Sequence, residues 1–363
     1  MADAASVIDV ARLAGVSLGT VSNVLNRPQR VAPATRDRVL RAIEELGFVR
    51  NEAARQLRAG RSRTIGLVVL DVGNPFFTDL AAGVESAAEG AGLSVILCNS
   101  ADSTAREDHY LSLLQELRAY GILITPVSGK NGRIEELRDH GTHVVFVDRG
   151  STKRQCSVSV DDVAGGELAA GHLIEQGHQR IAFVGGPLSV NQVADRLAGA
   201  RATVRAAGLP KGALSLIRTP GLNVAAGRRA GEQIADMTAR VRPTAVFCAN
   251  DLLALGVLQE MTRRNLHVPG DVAILGYDDI DFAAAAAVPL TSIRQPRAQL
   301  GQAAAELLID EVSAAETHQH RQVVFEAELV VRESTTPRRL IKPAGSGEPV
   351  RHTTRRLAGL PSR

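Results

Sequence analysis

SVIDVARLAGVSLGTVSNVLN, residues 6 to 26, carries two helix starts and one glycine stop within 21 positions. Ser6 followed three residues later by Asp9 predicts a capping box, and Val7, Val10, Ala11, Leu13 and Ala14 continue the apolar pattern until Gly15 ends it. After the Gly15-Val16 turn, Ser17 caps a second short helix. Val21, Val24 and Leu25 face inward there, leaving Leu18, Gly19, Thr20, Ser22 and Asn23 outward. Two short helices joined by a glycine turn predict a helix-turn-helix, whose second helix enters the DNA major groove. Pro33 opens a third helix with the stripe Val39, Leu40, Ile43 and Leu46, and Gly47 closes it. Gly19 is the anomaly, because glycine inside a helix costs roughly 1 kcal/mol relative to alanine and offers no side chain to a base edge.

Working outward, the formal charge is only +3 but is unevenly placed. Residues 1 to 63 carry net +5 and residues 336 to 363 net +6, which leaves −8 for the middle. A basic head and an acidic body predict that one end meets a polyanion while the body does something else. No apolar run approaches the roughly 18 residues of a membrane span, and no leader with a small-residue cleavage site opens the chain, so a cytoplasmic protein without membrane contact is expected. Cys98, Cys156 and Cys248 are odd in number and far apart, and all three read as core filling.

The body, residues 64 to 335, alternates apolar runs with amphipathic segments. The runs are IGLVVL (65–70), LSVILC (93–98), GILIT (121–125), HVVFV (143–147), RIAFVGG (180–186), LSLI (214–217), TAVFC (244–248) and DVAILG (271–276). Continuous apolar strands separated by helices predict parallel βαβ units in two doubly wound α/β lobes. Ligands of such sheets bind beyond the carboxyl ends of the strands. Those ends carry Asp71, Asn74, Phe76, Phe77, Asp148, Asn250, Tyr277 and Asp278, a mixture of carboxylates, amides and aromatics that suits a neutral polyhydroxylated ligand.

Enzyme signatures are missing: there is no phosphate loop, dinucleotide fingerprint, zinc-protease helix, nucleophile elbow or CxxC pair, so no catalytic residue and no cofactor is predicted. His140 and His143 in DHGTH, and His318 and His320 in THQH, read as solvent-exposed turn residues rather than metal ligands. A sugar-binding protein of a transport system is the alternative for the body. It would need a secretion signal and no helix-turn-helix, the reverse of what this chain shows.

With IDVARLAGVSLGTVSNVLN, PATRDRVLRAIEELGF, NEAARQL, DVGNPFF, HVVFVDR, ADRLAG, PTAVFCANDLLALG, GYDD and PLTSIRQP in this order, the chain resembles the LacI/GalR family of bacterial transcription regulators along residues 6 to about 334. The resemblance implies a helix-turn-helix domain over 1–50, a hinge helix and linker over 51–63, and a periplasmic-binding-protein-like effector and dimerisation domain over 64–335. Its N-lobe would take 64–162 and 293–322 and its C-lobe 163–292 and 323–335, ahead of a basic, disordered tail over 336–363. Implied DNA contacts are Ser17, Leu18, Gly19, Thr20, Ser22, Asn23, Asn26, Thr35, Asn51, Ala54, Arg55 and Leu57. Leu57 would wedge into the minor groove of a pseudo-palindromic double-stranded operator, once from each subunit. Implied effector contacts are Asn74, Phe76, Phe77, Asp148, Arg196, Asn250, Asp278 and Gln295. Where the purine-binding branch has a further Arg and Thr, this chain has Val190 and Gln192, which points to a neutral monosaccharide or derivative. No leucine heptad follows Arg332, so a homodimer is expected: a repressor of sugar-catabolism genes that its effector releases from DNA.

Overall fold

The computed structural model describes residues 5–48, 62–128, 131–150 and 155–336, in two compact units: the first takes the described residues up to Arg63 together with Glu116–Tyr120, the second Thr64–Gln115 and the described residues from Gly121 on. The first contains α1 (Val7–Ala14), α2 (Leu18–Asn26), a 3-10 turn (Pro28–Arg30) and α3 (Pro33–Glu45). The capping box forms as read: the Asp9 N–H donates to Ser6 Oγ at 3.4 Å and the Ser6 N–H to Asp9 Oδ2 at 3.0 Å. Gly15 closes α1 at φ 64°, a left-handed conformation that glycine adopts without steric cost, and α2 then leaves at 104° to α1. Val10, Ala11, Ala14, Val21, Val24, Val39 and Ala42 form the buried core. Leu13 and Leu40, expected inside, are 47% and 49% exposed. Three short helices enclose only a narrow stripe, and Ala42 rather than Leu40 faces it.

The second unit contains two six-stranded sheets. Its elements in order are β1 (Thr64–Val69), α4 (Pro75–Gly90), β2 (Ser94–Asn99), α5 (Thr104–Glu116), β3 (Gly121–Ile124), α6 (Gly132–Asp139), β4 (Val144–Val147) and β5 (Ser157–Val160). There follow α7 (Asp162–Glu175), β6 (Ile181–Gly185), α8 (Asn191–Ala206), β7 (Leu214–Arg218), α9 (Val224–Asp236), β8 (Ala245–Cys248) and α10 (Asp251–Arg263). The last are β9 (Ala273–Asp278), α11 (Asp281–Ala284), β10 (Thr291–Arg294), α12 (Arg297–Ser313), β11 (Gln322–Phe325) and β12 (Glu328–Val330). The N-lobe sheet runs β11-β5-β4-β3-β1-β2 and the C-lobe sheet β12-β10-β9-β8-β6-β7.

All eight apolar runs form strands, and among the described residues every strand pairing is parallel except that of β10 with β12. The antiparallel edge modifies the expected all-parallel lobes: β12 returns beside β10 after a short link from β11. The chain changes lobes after Arg294 and again after Phe325, slightly later than the expected switches at 293 and 323. β2 is an edge strand, and its Ile96 and Leu97 remain exposed although the run reads as continuous core. Among the described residues no single helix is long and apolar enough to cross a membrane. The expected hinge helix and basic tail lie outside the described residues, as do Asn51, Ala54, Arg55 and Leu57; only Ser62, Arg63 and Thr336 of those segments are described.

Candidate functional site

The carboxyl ends of both sheets open onto one small cavity of about 80 Å³. Asn74, Phe76, Phe77, Asp148, Arg196, Asn250, Asp278 and Gln295 all line it. From the N-lobe, Asn74 caps α4 by accepting the Phe76 N–H at 3.1 Å, and its amide donates across to Asp278 Oδ2 at 3.2 Å. Phe76 and Phe77 stand edge to face, 5.0 Å between centroids, and present an apolar wall. Asp148 follows β4 at φ 53°, and Asp278 ends β9 at φ 101°. Both occupy sparsely populated backbone regions, which cluster where a side chain must be aimed.

Arg196 organises the C-lobe wall. It is 4% exposed and donates from Nε to Asp162 at 2.7 Å and from Nη1 to the Ala249 carbonyl at 2.6 Å. Its guanidinium stacks on the Tyr277 ring at 3.6 Å. Burial would lower its pKa, but Asp162 foremost, then Tyr277, Asp278 and Asp148, raise it, and the group stays charged. Gly165 and Gly166 let α7 approach this closely: a Cβ on Gly166 would lie 2.1 Å from the Arg196 carbonyl oxygen and one on Gly165 2.1 Å from the Tyr277 hydroxyl. Asn250 caps α10 through the Leu253 N–H and donates to the Leu222 carbonyl. Gln295 donates to Asp278 Oδ1 at 2.8 Å while its own oxygen, like Asp148 Oδ1, is buried without a hydrogen-bond partner.

On the first unit, Leu18, Gly19 and Asn23 lie exposed along α2. Ser17 caps that helix and contacts Thr20 Oγ1 at 3.0 Å, whereas the Asn26 amide donates back to the Ser22 carbonyl at 2.8 Å. Thr35 is half-buried near the start of α3. A Cβ on Gly19 would meet only Ser17 Oγ, at 3.7 Å, so neither sterics nor φ requires glycine there. The helix could hold alanine, and the bare backbone at this position is a property of the surface.

Residues 6–51 match the family model of bacterial regulatory proteins, lacI family, and residues 170–335 match a periplasmic binding protein-like domain. The chain is 34% identical over 337 residues to the HTH-type transcriptional repressor PurR of Aliivibrio fischeri, spanning 92% of this chain and 99% of that one. This chain belongs to the LacI family of bacterial regulatory proteins. A complex of the transcriptional regulator CelR with cellobiose superposes with a TM-score of 0.68 at 32% identity, covering 91% of this chain and 99% of its own. The lac repressor dimer bound to operator and the anti-inducer ONPF gives 0.78 at 26% identity, covering 92% and 99%. As a LacI-family member the chain is a DNA-binding transcriptional repressor, not an enzyme.

In this LacI-family chain the partner of Arg196 is Asp162, which sequence reasoning missed. β5, which delivers Asp162, reads Ser-Val-Ser-Val; that polar alternation hides a strand buried at all four positions. The Asp161-Asp162 pair after it was the available signal. Gln192 is also spent internally, since its amide donates to the Asp148 carbonyl at 2.5 Å and to Asp148 Oδ2 at 2.9 Å. His318, expected in an exposed turn, has a side chain only 3% exposed, because the turn folds back over the start of β5.

Burial, and then the charge of Asp162, push the Asp148 carboxyl well above the ordinary carboxylate value of 3.8, against Arg196 and the hydrogen bond from Gln192. The folded state therefore holds the Asp148 proton more tightly than the unfolded state does. Ionising it destabilises the fold as pH rises above 3.8. Asp148→Asn is expected to melt above the wild type at neutral pH, with the difference closing as pH falls towards 3.8. Thermal melts across that range check it; a pH-independent difference would assign the effect to packing.

Proposed function

We propose that this repressor holds a pseudo-palindromic operator as a homodimer and is released when a neutral, hydroxyl-rich ligand of monosaccharide size fills the cavity. The observation that carries this reading is the excess of acceptors in the cavity. Asp148 and Asp278 line it with Asp162 directly behind, Arg196 is the one cation among its lining residues, and Gln295 Oε1 is a buried acceptor without a donor. Hydroxyl groups donate to such atoms, and the Phe76–Phe77 wall covers an apolar ring face. The cellobiose complex of CelR shows that a neighbour of this fold takes a sugar.

The DNA end of the proposal rests on the exposed face of α2. Leu18 would contact a thymine methyl and Asn23 an adenine edge, while Gly19 leaves the backbone close to the groove floor. Direct readout from so few side chains is sparse, which places more of the specificity on the hinge segment around Leu57 and on operator deformability. Ile96 and Leu97, exposed on edge strand β2, offer apolar surface suited to the dimer contact.

A purine is the second reading, favoured by the 34% identity to a repressor named PurR. Against it, Val190 is apolar and the Gln192 amide N–H group is already donated to Asp148. A thermal-shift panel of neutral monosaccharides, cellobiose, hypoxanthine and guanine separates the two. A ligand at 100 times its Kd adds roughly 2.7 kcal/mol, or about 5–10 °C for a unit of this size. A sugar that shifts the melt and also frees an operator fragment in a gel-shift assay supports the proposal. A shift from a purine base with none from any sugar overturns it.

A further inference from the structure

The N-lobe gathers a second cluster away from the cavity. Cys156 immediately precedes β5, Glu311 lies in the last turn of α12, and His318 and His320 lie in the turn that leads into β11. Because β11 pairs with β5, residues more than 150 positions apart meet at one edge of the sheet. Cys156 Sγ is 3.1 Å from His318 Nε2 and 3.7 Å from His320 Nδ1, and Glu311 Oε2 is 3.9 Å from each of those nitrogens. All four atoms lie within 4.8 Å of one another. Bonds of about 2.3 Å to sulfur and 2.0–2.1 Å to nitrogen or oxygen give a tetrahedron with edges of roughly 3.3–3.6 Å, so widening the Cys156–His318 approach slightly and drawing Glu311 inward closes this set around one ion.

The atoms that face away from the centre are held from behind. His318 Nδ1 meets Asp310 Oδ2 at 3.1 Å, and Asp310 receives Arg321 Nη2 at 2.7 Å. Glu311 Oε1 meets His143 Nδ1 at 3.2 Å, which leaves the buried Oε2 without a hydrogen-bond partner and turned to the cluster. The Arg321 N–H points at Cys156 Sγ from 3.5 Å. A carboxylate behind an imidazole orients the other ring nitrogen toward a metal, and a buried carboxylate oxygen left unpartnered costs stability that a cation would recover.

We propose that Cys156, Glu311, His318 and His320 form a tetrahedral site for a divalent transition metal of the zinc class. The ion ties the end of α12 and the turn before β11 to the β5 edge. One thiolate, two imidazoles and one carboxylate favour zinc over magnesium or calcium, which take oxygen ligands.

The test uses tag-free full-length protein, stripped with a chelator and titrated with Co2+. One Co2+ per chain is expected, with the strong visible bands of a tetrahedral ion and a near-ultraviolet thiolate charge-transfer band, both bleached by Zn2+. Cys156→Ser should lose the charge-transfer band and His320→Gln the tetrahedral bands. Asp310→Asn, which removes only the group behind His318, should weaken binding by about 10–100-fold. His320→Gln and Asp310→Asn alter exposed or half-exposed positions, so they carry the test if Cys156→Ser fails to fold by circular dichroism. Absence of binding, an octahedral spectrum, or a spectrum unchanged in these variants would overturn the site.

Discussion

Replacing Arg196 by leucine is expected to lower the melting temperature of the effector-binding unit by about 10 °C and to abolish its response to cavity ligands. The guanidinium is the one cation facing Asp162 at 2.7 Å and Asp278 at 3.8 Å among the residues lining the cavity. Removing one partner of a buried ion pair typically costs about 3–5 kcal/mol, because the other charge is left uncompensated. Leucine keeps much of the volume, so the loss would report charge rather than a void. Calorimetry of Arg196→Leu beside Arg196→Leu/Asp162→Asn checks the cause: the second change should restore part of the lost stability. A single variant as stable as the wild type would show that Arg196 does not hold the carboxylates together.

The second large effect concerns the other unit. Val39→Asp places a carboxylate at a position with no exposure, against the core formed with Val10, Val21 and Val24. Burying an unpaired charge costs several kcal/mol, and a single core in a domain this small supplies rarely more than about 3–5 kcal/mol. Operator binding should be lost in a gel-shift assay while the effector still raises the melting temperature of the same preparation. Retained operator binding would mean that the three-helix core is dispensable for DNA recognition.

Local patterns carried far in this chain. Capping boxes, glycine stops and apolar periods act over three to seven residues, and at α1, α2 and α3 the predicted signals appear where the backbone needs them. The eight apolar runs became eight strands, and six of them, all but the edge strands β2 and β7, are largely buried on both faces and so have no polar alternation to disguise them. Helix facing was less legible. Leu13 and Leu40 are exposed because the width of the buried stripe depends on which helices close over it.

Function followed the same division. The residues that end strands were readable from the sequence, and resemblance to a family singled out six of them, with Arg196 on α8 and Gln295 after β10, as effector contacts; the fold brings all eight to one cavity. Their partners were not readable. Asp162 reaches Arg196 only because β5 lies beside β4 and because two glycines let α7 approach α8 closely. Cys156 meets His318 only because β11 joins the N-lobe sheet beside β5, across 162 positions of sequence. The sequence by itself determined the three helices of the first unit, eight of the twelve strands and the residues at their ends, since these depend on short-range propensity and hydrophobic period. Tertiary structure alone decided which charges are buried together, because that depends on strand order and helix approach, and neither is encoded by any local spacing.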